Sequence, residues 1–286
     1  MAMRVIDAHH HLWDLGARDQ AWITGPALAP LRRDFLLDDY RPVTDACGIA
    51  ASVVVQTVTV PGETPELLAL AAASDLIAGV VGWIDLIAPD VADRIAALTE
   101  LPGGPKLVGL RHQVQSEPDP DWLTRPDVLR GLAAVAGAGL TYDVVGEPRH
   151  LPAAVTAARQ VPELRFILDH LGNPDMSPEP SEPWASAFTQ FAALENTTAK
   201  LSGILGVPPP PGATPGTRDH VRRYYDLALH DFGPNRLMFG SDWPPCTLDA
   251  TYAQVLATAR ALTAGLSSTE QAAIFSGTAR RTYQLP

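Results

Sequence analysis

Short apolar runs recur along the whole chain of 286 residues, with helix-like stretches between them. The runs are Arg4–His9, Ala51–Thr57, Val80–Asp85, Leu107–His112, Thr141–Val145, Arg165–His170, Thr198–Ser202 and Leu237–Asp242. Most are continuously apolar rather than alternating. That pattern belongs to parallel strands buried on both faces. Eight such runs at intervals of about 25–47 residues, alternating with helices, predict a (β/α)8 TIM barrel, one domain over residues 1–286. The competing architecture is an open doubly wound sheet. It requires a glycine-rich phosphate loop after an early strand, and here the first strand ends in His9-His10-His11 instead.

The intervening stretches carry helix signals. Thr64 and Pro65 read as N-cap and first helical residue. Val91, Ile95 and Leu98 form a one-sided stripe, as do Trp184, Phe188 and Phe191, and Tyr252, Val255, Leu256, Ala259 and Leu262. Pro126 and Pro152 open two more helices. A last helix follows Ser267 or Ser268, where Ser268 with Gln271 fits a capping box. The connections after strands are longer than those before them. The stretch from Leu12 to about Asp45, the segment with Pro174, Pro178, Pro180 and Pro183, and the run Pro208–Pro211 all follow strands. In a barrel those connections build the functional face.

Charge and composition narrow the partners. The net charge is −11 and no Lys/Arg cluster occurs, which argues against a nucleic-acid surface. The longest apolar region, Leu67 to Ala88, carries Ser74, Asp75 and Asp85. An Asp at a bilayer centre costs about 2.5–3.5 kcal/mol, so no membrane span is expected. Two cysteines, Cys47 and Cys246, give no disulfide framework, and no signal-peptide core is visible. A cytoplasmic location is the expectation. Cys246 reads as a small packed residue.

Polar residues gather at the strand ends. Strand alternation predicts Asp7, His9 and His11 on one face and His10 on the other. Two imidazoles two residues apart can hold one divalent metal, or donate to one substrate oxygen. Asp169-His170 and Ser241-Asp242-Trp243 end the sixth and eighth strands. Together His9, His11, His170 and Asp242 face one mouth. At the end of the fourth strand only one of Arg111 and His112 points inward if the strand stays regular. Arg111 can clamp a carboxylate or polarise a carbonyl, and His112 can act as acid or donor. Lys200 and Ser202 share a face of the seventh strand, and Tyr142 and Asp143 are further candidates on the fifth.

The segments Asp7-Ala8-His9-His10-His11-Leu12-Trp13, Gly109-Leu110-Arg111-His112, Asp169-His170-Leu171-Gly172, Lys200-Leu201-Ser202-Gly203 and Met238-Phe239-Gly240-Ser241-Asp242-Trp243-Pro244 resemble the amidohydrolase superfamily. Within it the chain is similar to the amidohydrolase 2 group of metal-dependent TIM-barrel hydrolases, and to its sugar lactonases of the L-fuconolactonase and L-rhamnonolactonase type. The resemblance implies a metal site of His9, His11, His170 and Asp242 holding one divalent ion, Zn or Mn. It implies substrate contacts from Arg111 and His112. The bridging Lys and the fifth-strand His of binuclear members have no counterpart here.

What the resemblance implies is hydrolytic opening of an aldonolactone, a small-molecule substrate. Asp242 is then the general base, His170 and His112 act in catalysis, and Arg111, Trp13, Tyr142, Lys200 and Trp243 bind substrate. The protein is expected as monomer or homodimer. Three other readings stand beside this one: hydrolysis of a carboxylated aromatic lactone, metal-dependent decarboxylation, and non-catalytic binding of a sugar acid.

Overall fold

The computed structural model describes residues 4–206 and 219–286. The expected loop at Pro208–Pro211 lies outside the described residues. Eight strands form one parallel sheet in sequence order: β1 (Val5–His10), β2 (Ile49–Val55), β3 (Ile77–Gly82), β4 (Leu107–Gln113), β5 (Thr141–Val145), β6 (Arg165–Leu168), β7 (Thr197–Leu201) and β8 (Leu237–Phe239). The sheet closes where His10 bridges Trp243, with the Asp242 amide donating to the His9 carbonyl at 2.9 Å and the His11 amide to the Trp243 carbonyl at 2.7 Å. This is the (β/α)8 barrel expected from the alternation of runs.

The helices are α1 (Leu37–Cys47), α2 (Glu63–Ala72), α3 (Val91–Thr99), α4 (Pro126–Gly137), α5 (Leu151–Gln160), α6 (Trp184–Ala192), α7 (Asp219–Phe232), α8 (Tyr252–Thr263), α9 (Ser268–Ala272) and α10 (Thr278–Tyr283). Two helix starts differ from expectation. Thr64 does not cap α2 but lies inside it, and its hydroxyl accepts from the Trp83 amide and donates to the Trp83 carbonyl. It ties the helix to the end of β3 rather than starting it. The last capping box is Ser267 with Glu270, one residue before the expected pair, because the Glu270 carboxylate reaches both the amide and the hydroxyl of Ser267.

β2 and β3 start two to three residues earlier than expected, and β6 and β8 stop before the polar residues assigned to their ends. Those polar residues lie in the irregular backbone just beyond the strands, on the face where the long connections gather.

The chain builds two apolar cores. The larger lies between strands and helices. The smaller fills the barrel with Ile6, Ala8, Val53, Val55, Val81, Ile167 and Met238. Tyr283 and Leu285, at the far end of the chain, join this inner core and stop the barrel at the strand starts. The Tyr283 hydroxyl donates to Asp143 Oδ2 at 2.6 Å, so the plug bonds directly to the charged layer above it. Removing this hydroxyl leaves a buried carboxylate with one donor fewer. Tyr283→Phe is therefore expected to lower stability by about 1–3 kcal/mol in urea denaturation.

Candidate active site

β1 does not alternate regularly to its end. Its register on β2 advances from Asp7↔Ser52 to His10↔Val54, three residues against two. This bulge corrects the expectation that Asp7 and His9 share a face. Asp7 turns outward and accepts from the hydroxyls of Tyr40 at 2.7 Å and Tyr252 at 3.0 Å. His9 turns into the barrel. His10 faces out, stacked on Tyr40 and bonded to Ser52, and His11 faces in.

The inward histidines belong to a directed chain of hydrogen bonds. Lys200 Nζ lies 3.0 Å from His9 Nδ1. An ammonium has no lone pair, so it donates, and neutral His9 carries its proton on Nε2. His9 Nε2 lies 3.1 Å from His11 Nε2. His11 Nδ1 donates to the Val55 carbonyl at 2.8 Å, which leaves Nε2 as the acceptor of the His9 proton. Burial, then the Lys200 charge, hold His9 well below the usual imidazole range, in keeping with a neutral ring.

Below these rings lies a buried ionic layer. Lys200 also bonds Asp143 and lies 2.9 Å from Asp169 Oδ1. Arg111 donates through Nη1 to Asp169 Oδ2 at 2.9 Å, through Nε to Gln56 Oε1 at 2.9 Å, and through Nη2 to the Gln56 carbonyl. Burial raises the Asp169 pKa, but Lys200, His9 and Arg111 more than reverse this and hold it well below the carboxylate range.

His170 and Asp242 face each other across the mouth, each just past its strand in left-handed backbone, at φ 53° and 58°. His and Asp tolerate that region better than most residues. Gly203 sits close behind His170: a Cβ there would lie 2.7 Å from His170 Cγ. Ser202 Oγ lies 2.9 Å from His170 Nδ1. Asp242 Oδ1 lies 3.6 Å from His11 Nε2, 3.7 Å from His9 Nε2 and 3.9 Å from His170 Nε2. Burial raises the Asp242 pKa, yet His170, His11 and Arg111 bring it below its ordinary value, so the carboxylate is ionised at neutral pH.

A cavity of about 300 Å³ opens over these groups, lined by His11, Arg111, His170 and Asp242 among others. A larger hollow of about 490 Å³ lies against α1 and α2, lined by Leu12, Trp13, Leu67 and Leu70, and none of the four candidate metal-site residues reaches it.

Five residues expected at the mouth stand elsewhere. β4 stays regular through Gln113, so Arg111 points inward and His112 outward. His112 stacks on Trp122, accepts from Trp83 Nε1 and pairs with Glu117. Tyr142 packs against Phe166 in the outer core, while its neighbour Asp143 takes the inward position. Trp13 donates to the Arg33 carbonyl and backs Trp22, which does line the cavity. Trp243 packs between Phe35 and Tyr40 and serves the mouth through its backbone. Lys200 lies beneath His9 rather than in the cavity wall. Cavity residues that the strand-end reading missed include Thr57, Gln113 and Asn173, together with Gln56 as the partner of Arg111.

The donors fit a divalent ion. Ligand atoms of His9, His170 and Asp242 lie within 4.8 Å of one another, a set suited to Zn²⁺ or its neighbours. His11 presents a lone pair with its other nitrogen tied to a carbonyl, the usual support of a ligating ring. His9 can ligate only after giving up its Nε2 proton. Asp169 Oδ1, 3.3 Å from His9 Nδ1, is placed to accept the alternative Nδ1 proton.

Comparison with known proteins matches this chain to the amidohydrolase family model over residues 6–285. An L-fucono-1,5-lactonase of Burkholderia multivorans is 38% identical over 289 residues, covering 98% of this chain and 96% of the relative. One from Burkholderia ambifaria is 36% identical over 239 residues, covering 84% and 80%. The crystal structure of a Burkholderia multivorans amidohydrolase with bound Zn superposes with a TM-score of 0.89 at 36% identity, covering 99% of this chain and 100% of that one. No helix among the described residues is long and apolar enough to cross a membrane. The match runs from the second residue of β1 to the plug that ends the chain, and the protein belongs to the amidohydrolase family.

Proposed function

We propose that this protein opens the ring of an aldonolactone to the hydroxy acid. The observation that carries this reading is one ionised carboxylate, Asp242, set within 4 Å of three imidazoles in a small cavity that Arg111 also lines. The names of its relatives, both L-fucono-1,5-lactonases, support it.

The lactone carbonyl oxygen lies toward Arg111, whose guanidinium lines the cavity. In this buried site its N–H groups stabilise the oxyanion as it forms. Asp242 takes a proton from water as the water oxygen attacks the carbonyl carbon. The tetrahedral centre collapses, the ring C–O bond breaks, and Asp242 returns the proton to the leaving alkoxide. His170 and Arg111 favour the ionised form of Asp242, and its amide bond to the His9 carbonyl aims it. A Zn²⁺ or Mn²⁺ ion bound by His9, His11, His170 and Asp242 supplies Lewis-acid polarisation of the carbonyl. Ser202 and the Val55 carbonyl orient His170 and His11 in either case.

A carboxylated aromatic lactone fits less well. Arg111 is already paired with Asp169 and Gln56, and no other Lys or Arg lines the cavity among the described residues. His112 and Tyr142 face away from the cavity and take no part in this reading.

Asp242→Asn is expected to lower kcat by about 10²–10⁴-fold in a pH-indicator assay with aldonolactones, with little change in KM. A variant that keeps most of its turnover removes Asp242 from the base role. Calorimetric titration of the chelated protein with Zn²⁺ is expected to show one ion per chain. His170→Asn is expected to weaken that binding at least about tenfold. Unchanged binding places the ion elsewhere.

A further inference from the structure

One wall of the cavity is built from amide side chains. Gln113, Gln115 and Asn173 all line it, and the mechanism uses none of them. Two are anchored in the same way. Gln113 Nε2 donates to the Thr57 carbonyl at 2.7 Å, and Asn173 Nδ2 donates to the Gly146 carbonyl at 2.8 Å. Each bond anchors the amide through one N–H to a neighbouring strand end, with the side-chain oxygen bonded to no protein group. Gln115 adds a third such oxygen: its Oε1 is buried and makes no hydrogen bond.

The Gln115 oxygen is buried, and an unpartnered buried acceptor costs about 1–3 kcal/mol; with the Gln113 and Asn173 oxygens also bonded to no protein group, the site suits a ligand that supplies donors. Asn173 carries a further cost, because it sits in left-handed backbone at φ 50°. Asparagine bears that conformation better than most residues. The charged groups beside these amides, Arg111 with Asp169 above all, are largely saturated by one another.

We infer that Gln113, Gln115 and Asn173 form a hydroxyl-reading wall whose amide oxygens accept hydrogen bonds from the ring hydroxyls of a neutral, polyhydroxylated lactone. This rests on the ring-opening reading above and adds to it the residues that select the substrate. Hydroxyls satisfy these oxygens. A carboxylate, which is acceptor-only at neutral pH, supplies these oxygens with no donor. The wall therefore selects for hydroxyls and against acidic lactones with the same atoms.

The test pairs Gln115→Met and Gln113→Met with three kinds of lactone: a hexono-1,5-lactone, its single-deoxy analogues, and unsubstituted δ-valerolactone. Each variant is expected to lose about 10–100-fold in kcat/KM on the hydroxylated lactone, and much less on the analogue lacking the hydroxyl it reads. The melting temperature of Gln115→Met is expected to stay within about 2 °C of the parent, since its oxygen bonds nothing in the free protein. Equal losses on hydroxylated and unsubstituted rings, or no loss on either, overturn the wall while leaving ring opening intact. A parent protein that opens a carboxylated lactone faster than any neutral one also overturns it. A parent protein silent on every lactone overturns the ring-opening reading itself, and the wall with it.

Discussion

The charge of Lys200 is the constraint on which the site depends. It lies fully buried inside the barrel, where an unpaired ammonium costs several kcal/mol. Asp143, Asp169 and His9 offset that cost by surrounding it. Each of those partners is then committed in turn. Asp169 holds Arg111, Asp143 receives the hydroxyl of the terminal plug, and His9 is fixed in one tautomer. The ionic layer thus connects the closed end of the barrel to the open one. Deleting one member strands the others, so these residues act as a unit rather than as separable contacts.

Above this layer the chain uses irregular backbone to aim its groups. A regular β1 cannot turn Asp7 out and His9 in, because residues two apart share a face. The bulge solves this, and it frees Asp7 to collect two tyrosine hydroxyls and the Ser241 amide from the helix layer and the β8 exit. His170 and Asp242 are aimed by left-handed turns just past β6 and β8. Such conformations cost about 1–3 kcal/mol each and persist where surrounding contacts over-determine them. Here Ser202 holds one turn, and the His9 carbonyl holds the other.

These devices explain what could be read from the sequence. The barrel was legible because apolar runs and their spacing depend on burial, which composition records directly. The strand-end cluster of His9, His11, His170 and Asp242 was legible for the same reason: polar residues closing apolar runs stand out. Facing was less so. Strand parity settles Arg111 against His112 only if β4 stays regular, and it does; the same logic puts Asp143 in and Tyr142 out. Parity fails at β1 because nothing in Asp7-Ala8-His9 announces a bulge. Gln56 and Thr57 follow Val53-Val54-Val55 and could have been found by the strand-end rule. Trp13 and Trp243 drew attention as aromatics, yet both belong to a packed cluster with Phe35 that supports the mouth from behind.

The split inferred above between saturated charged groups and open amides follows from the same economy of charge. Arg111 is buried, so its guanidinium must be paired, and pairing it with Asp169 removes it as a free anchor for an anion. What remains for recognition is uncharged. Amide oxygens can be left open at far lower cost than ions, so a site with a saturated ionic floor is suited to read its ligand through neutral hydrogen bonds. That arrangement also protects the chemistry. In the ring opening proposed above, a substrate that brought its own negative charge would sit against Asp242 and raise the energy of that ionised carboxylate and of the oxyanion alike. In that same proposed reaction, neutral recognition leaves the developing charge of the carbonyl as the one new charge beside the Arg111 guanidinium.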